Sequence, residues 1–120
     1  MTSTLTHYRW SDVPSEQINP STSRRFITAD RVTVARFELR RGGVVPGHAH
    51  ENEQVTFVIS GALKFLIDGR QVVVKGGEVL QIPSNMPHEV EVLEDTVVVD
   101  VFSPIRQDWL DKTDTYFTRK

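Results

Sequence analysis

Residues 42–61 read GGVVPGHAHENEQVTFVISG, and the reading of this stretch organises the rest of the chain. His48 and His50 stand two apart, and Gln54 follows four residues after the second. In an extended segment, side chains at i and i+2 leave the same face. One face therefore presents both imidazoles and, if the extension continues, Gln54 as well. Such a trio is half of a metal site. Residues 77–90, GEVLQIPSNMPHEV, supply His88 from far along the chain, and a curled sheet would bring it back to close the ligand set. Glu53 offers a competing carboxylate, but alternation turns it to the opposite face.

On either side the pattern is that of short strands. Residues 32–39 alternate Val32, Val34, Arg36 and Glu38 against Thr33, Ala35, Phe37 and Leu39, a strand with Phe37 and Leu39 inward. Residues 54–60 are β-branched and aromatic enough for another, ending at Gly61. ALKFLI and RQVVV then flank Asp68 and Gly69, a two-residue hairpin turn of the kind that needs positive φ. Residues 79–82 form a short strand, 83–87 a loop that delivers His88, and 96–102 the last long strand. Helical character is confined to about 107–112. Regular short strands with turn signals between them predict an all-β barrel or sandwich. Residues 1–25 are polar, broken by Pro14 and Pro20 and anchored by Trp10, Val13 and Ile18. The expected division is an arm over 1–25 packing on the barrel or on a partner subunit, a barrel over 26–106, and a tail over 107–120. His7 lies in the arm with no co-ligand nearby and reads as an exposed terminal histidine.

Composition narrows the function classes. A chain of 120 residues is one domain with room for a core and a pocket. With 38% hydrophobic and 25% charged residues and a net charge of -2, it has no basic field for nucleic acid. There are no cysteines, so a metal site must use His, Gln or carboxylate ligands. The first ten residues lack an apolar signal core, and no run approaches the roughly 18 apolar residues of a spanning helix. No membrane association and a cytoplasmic location are expected.

Asp100 interrupts the apolar run VVVDVF and shares a face with Val98 and Phe102. On the inner face its carboxyl pKa would rise by desolvation, which prepares a general acid or base. Arg106, just beyond Pro104, would reach the pocket mouth and grip a substrate carboxylate as a bidentate fork. The competing reading pairs Asp100 structurally with Arg36 or Arg106, or leaves Arg106 on the surface. Both readings stand at this level.

The spacing of residues 42–61, with Gly42, His48, His50, Gln54 and Gly61, resembles the first motif of the cupin family, with Gln where most cupins have Glu. Gly77, Pro83, Asn85 and His88 resemble the second, although Val92 stands where an Asn often closes it. The resemblance implies a double-stranded β-helix, or jelly-roll, barrel with one divalent ion (Ni, Zn, Mn or Fe) held by His48, His50, Gln54 and His88. A Gln ligand would leave a three-His divalent centre at its full charge, a stronger Lewis acid on a looser metal. HxHxNEQ, the PxNxPH loop and D-x-F-S-P-x-R-x-D-W-L from Asp100 are similar to the KdgF-type cupins of pectin and alginate degradation. Those cupins convert 4,5-unsaturated uronates to linear keto forms. The similarity implies pocket roles for Asp100, Phe102 and Arg106, and a metal-dependent, non-redox isomerase or lyase acting on a small sugar acid. An iron-dependent dioxygenase and a non-catalytic small-molecule binder are the other classes. Tyr8, Trp10, Trp109, Tyr116 and Phe117 lie outside the strands, where they would bury on a second copy in a homodimer or close the ends of their own barrel.

Overall fold

In the computed structural model, which describes residues 4–114, the alternating segments form ten strands in two antiparallel sheets. The strands are β1 (Glu16–Asn19), β2 (Thr22–Thr28), β3 (Thr33–Leu39), β4 (Val44–His48), β5 (Glu53–Ser60), β6 (Ala62–Ile67), β7 (Arg70–Lys75), β8 (Val79–Ile82), β9 (His88–Val92) and β10 (Thr96–Ser103). A single helical turn, α1 (Gln107–Leu110), follows the last strand. One sheet runs β1-β2-β3-β10-β5-β8 and the other β4-β9-β6-β7. The chain is thus all-β with a jelly-roll order. Among the described residues no backbone ladder joins the two sheets into a closed barrel, and a shared apolar core packs them face to face.

Period-two burial fixes which residues meet between the sheets. Ala35, Phe37 and Leu39 of β3 point inward, as expected, and meet Val58 of β5 and Val98 and Phe102 of β10 on the same sheet. Leu63, Phe65 and Ile67 of β6 and Val90 and Val92 of β9 face them from the other sheet. The Asp68–Gly69 turn has both φ values positive, 51° and 69°, and pairs Ile67 with Arg70 as a two-residue hairpin demands. Gly61 makes the turn from β5 to β6 at φ 94°, where a Cβ would run into the Asp95 carbonyl and Thr96 Oγ1.

The ends of the chain differ from the expected arm and tail. β1 and β2, within and just past the first 25 residues, extend the six-stranded sheet beyond β3. Trp109 is 3% exposed and packs edge-to-face against Phe26, Phe37 and Phe102, with ring centroids 5.2, 6.1 and 5.1 Å away. Of the two places left open for Trp109, the structure shows it closing the end of its own sheets. The turn at Arg106–Trp109 folds back over the end of its own sheets, where three aromatic rings accept it. Tyr8 is half exposed, and Tyr116 and Phe117 fall outside the described residues. No helix among the described residues is long and apolar enough to cross a membrane.

Candidate metal centre

His48 closes β4 and His88 opens β9, and the two are direct cross-strand partners. Their ring centroids lie 4.3 Å apart, and His50 completes the group at 5.6 Å from His48 and 5.3 Å from His88. Each ring is anchored within its own segment. His48 Nδ1 donates to the Pro46 carbonyl at 2.8 Å, His50 Nδ1 to the Asn52 carbonyl at 3.0 Å and His88 Nδ1 to the Met86 carbonyl at 2.9 Å. A carbonyl only accepts, so the proton sits on Nδ1 in all three and each Nε2 keeps its lone pair. Burial holds the rings neutral: the pKa of His48 falls to about 3, that of His50 to about 4, and that of His88 is also lowered. One nitrogen from each ring lies within 4.8 Å of those of the other two.

Gln54 reaches the same point from the opposite sheet. The extension from His50 does not continue: the chain bends at Glu51 and Asn52, and Gln54 enters at the start of β5. It is buried, whereas Glu53 is exposed and accepts from Gln81 on the outer face at 3.1 Å. Gln54 Nε2 donates to Thr56 Oγ1 at 2.9 Å, which orients Oε1 toward His50 Nε2 at 3.1 Å. With the His50 proton on Nδ1, that last contact is between two lone-pair atoms and holds no hydrogen. Two acceptors so close, with two further Nε2 atoms beside them, fit a cation and no neutral arrangement equally well. The donor set passes this test as nitrogen and oxygen ligands for a divalent first-row ion.

Asp100 lies on the inner face of β10 opposite Thr56, next to the Phe102–Gln54 pair. Burial raises its pKa to about 6, opposed by hydrogen bonds from Thr56 and Gln54 and by the charge of Arg106. Its Oδ1 has no hydrogen-bond partner among the described residues. A structural pair with Arg36 is ruled out by phase, since Arg36 is on the outer face, 3.1 Å from Glu38. Arg106 is not a surface residue either; it is 1% exposed, with its guanidinium 4.7 Å from the Phe102 ring and 4.4 Å from Trp109. Its Nε and Nη2 grip both oxygens of Asp108 at 2.9 and 2.7 Å, so the fork expected for a substrate carboxylate holds a carboxylate of its own chain.

His48, Gln54, His88, Asp100, Phe102 and Arg106 line one cavity of about 50 Å³, whose inner end is apolar. By the volume one water needs, that is room for about four waters. The residue that locks this arrangement was not singled out in the sequence. Asn52, 4% exposed, donates through Nδ2 to the carbonyls of Pro104 and Ile105 at 2.6 and 3.1 Å, while its own carbonyl holds the His50 ring. It therefore joins the loop that carries His50 to the segment that carries Arg106. Its one signal was its place between His50 and Gln54, a polar residue in a stretch already dense with ligands.

A family model described as a cupin domain matches residues 35–102, from β3 to β10, a span that contains all four ligand candidates. This chain is a cupin. The cupin is 28% identical over 102 residues to the pectin degradation protein KdgF of Dickeya dadantii (strain 3937), covering 82% of this chain and 93% of that protein. Its fold superposes on that of KdgF from Halomonas sp. with a TM-score of 0.80 at 24% identity, over 87% of this chain and 99% of that one. An RmlC-like cupin from Shewanella frigidimarina NCIMB 400 gives 0.82 at 22% identity, over 91% and 99%. At those identities the two structures show the fold. The three histidines of this cupin could hold a metal ion.

Proposed function

We propose that this cupin is a metal-dependent, redox-neutral isomerase or lyase that opens the ring of a small unsaturated sugar acid, such as a 4,5-unsaturated uronate, to its linear keto form. One observation carries the reading: three imidazoles that keep their Nε2 lone pairs and a Gln oxygen cluster at a cavity, lined by two of those rings, that also holds a buried carboxyl and a guanidinium. Similarity to a pectin degradation protein supports the substrate class.

His48, His50, Gln54 and His88 would hold the ion, which when bound supplies Lewis-acid polarisation of substrate oxygen. The remaining chemistry belongs to side chains. As the hemiacetal opens, its hydroxyl loses a proton and the carbon–ring-oxygen bond breaks, leaving an aldehyde and an enolate. The enolate then takes a proton on carbon to become a ketone. Atoms and electrons balance, so one carboxyl that accepts the first proton and delivers the second suffices, and Asp100 fills that role. The cavity is too small for a whole sugar acid, so only its reacting end enters. Its carboxylate stays at the mouth and takes the place of Asp108 on the Arg106 fork, one carboxylate exchanged for another. Phe102 holds the guanidinium level by stacking beneath it.

The test is elemental analysis of protein purified without chelator, beside a His50→Ala control, followed by NMR of the protein with an unsaturated uronate. One equivalent of divalent metal that the control lacks, with appearance of the linear ketone, is the expected result. Bound iron with oxygen consumption and no ketone replaces the reading with an oxygenase. Absence of metal after reconstitution, with ligand binding intact, replaces it with a non-catalytic binder.

A further inference from the structure

Arg106 and Asp108 are unequal partners. The arginine is fixed from several sides. Its backbone N–H donates to Thr33 Oγ1 at 2.8 Å, and Asn52 holds the carbonyls of Pro104 and Ile105 just before it. Its guanidinium packs on the rings of Phe102 and Trp109. Asp108 is anchored through its backbone, where the Thr113 N–H donates to its carbonyl at 2.8 Å. Its side chain is 36% exposed against 1% for Arg106, and it turns about its own single bonds. The carboxylate is therefore free to swing into water while the guanidinium stays in place. The pair also stands within electrostatic reach of the histidine cluster: burial first, and the charge of Arg106 second, push the pKa of His50 down to about 4.

We infer that Asp108 is a tethered competitor for the Arg106 fork, which sets the affinity of the site for every carboxylate and bars simple anions from it. The inference rests on the proposed seat of the substrate carboxylate at Arg106 and adds what guards that seat. Nε and Nη2 form one planar edge of the guanidinium, and Asp108 takes both of its donors. An incoming carboxylate that uses this edge breaks both bonds and offers the same kind in return, so the bonds themselves do not decide the exchange. The tether does. A group tied two residues away acts at an effective concentration on the order of millimolar or above. Only the fraction of molecules with Asp108 swung out accepts a ligand, and each ligand's apparent affinity falls by that one common fraction. Acetate or an inorganic anion, with a single point of attachment, falls below useful binding. An acid whose hydroxyl or keto oxygen also reaches the histidine cluster has a second anchor and stays above it. The guarded site thus admits hydroxy and oxo acids long enough to span from the fork to the histidines.

The test is calorimetric titration of the metal-loaded full chain with acetate and with D-galacturonate, a saturated acid that the proposed reaction does not consume. The proteins are wild type, Asp108→Asn, Asp108→Asn with Arg106→Gln, and Asp111→Asn, which removes a charge from the same turn without touching the fork. Wild type should bind galacturonate and leave acetate unbound at about 10 mM. Asp108→Asn should tighten both acids by the same factor, roughly tenfold or more, and Asp111→Asn neither. The added Arg106→Gln should abolish the gain. Equal or weaker binding in Asp108→Asn overturns the inference and makes Asp108 a support for the fork; a gain that survives Arg106→Gln overturns it too. NMR of wild type decides the matter without any variant: saturating galacturonate should shift the Asp108 carboxyl carbon as Arg106 lets it go, and a resonance that stays in place overturns the inference. Turnover is scored separately with an unsaturated uronate. Its absence beside an acetate gain in Asp108→Asn would sink the isomerase reading and leave the guarded fork standing.

Discussion

At the scale of single residues, Asp100 carries the sharpest consequences. Asp100→Asn keeps the shape and the ligand set, so it should retain metal and lose turnover by 100-fold or more; near-normal turnover would remove Asp100 from the chemistry. The same substitution has a stability signature in chelator-treated protein. The folded pKa of about 6 lies above the ordinary 3.8, so the folded state binds the proton more tightly than the unfolded one. Its stabilising contribution is complete below pH 3.8 and is lost as pH rises through 6, a difference on the order of 3 kcal/mol at pH 8. Asp100→Asn should therefore raise the melting temperature relative to wild type at pH 8 and not at pH 3.5. An equal shift at both values would mean that the buried charge is not what limits stability. Gln54→Glu adds a negative ligand to the same centre. Competition with a chelator should show metal held at least tenfold more tightly, with lower turnover from a weaker Lewis acid; unchanged retention would place Gln54 outside the ligand set.

Among the elements, the short turn α1 does more than its length suggests. Trp109 sits between three aromatic rings, with the Arg24 and Arg106 guanidinium groups 4.2 and 4.4 Å from its ring. Trp109→Ala should cost about 3–5 kcal/mol and, by loosening Arg106, raise KM more than it lowers kcat. Denaturant melts and steady-state kinetics check both; a loss under 1 kcal/mol would show that the turn is only laid on the surface. Its role also marks where sequence reading stops. β3, β5, β6, β7, β8 and β10 were legible because burial alternates at period two and because Asp68–Gly69 and Gly61 punctuate them, whereas β1, β2, β4 and β9 were not legible as strands. The clustered histidines were legible because His48 and His50 keep an i, i+2 spacing and His88 follows a glycine- and proline-punctuated segment of its own. Trp109 and Asn52 were not, since their partners lie 83 and 52 residues away in the chain, at Phe26 and Pro104, and no local pattern encodes such contacts. The bend at Glu51 and Asn52 was missed for the same reason. It is held by the Asn52 bonds to Pro104 and Ile105, so Gln54 arrives from the other sheet and not along the strand of His48.

For the whole molecule, two sheets held together by side chains imply graded stability. β10 and β5 lie inside the larger sheet with ladders on both sides, while β1, β7 and β8 are edges. Hydrogen exchange should protect the amides of β10 and β5 to the level of global unfolding and release those of β1 and β7 at lower free energy. Uniform exchange across all strands would mean that the sheets open as one unit.

The anchoring of each imidazole to a carbonyl two residues from it has a consequence for how such a centre changes. Ring orientation is set inside three short, independent segments, at Pro46–His48, His50–Asn52 and Met86–His88. Losing one histidine leaves the aim of the other two intact, and exchanging the fourth ligand disturbs none of them. The centre can therefore be edited one position at a time, with the scaffold indifferent to the outcome, and its chemistry can drift without passing through an unfolded sequence.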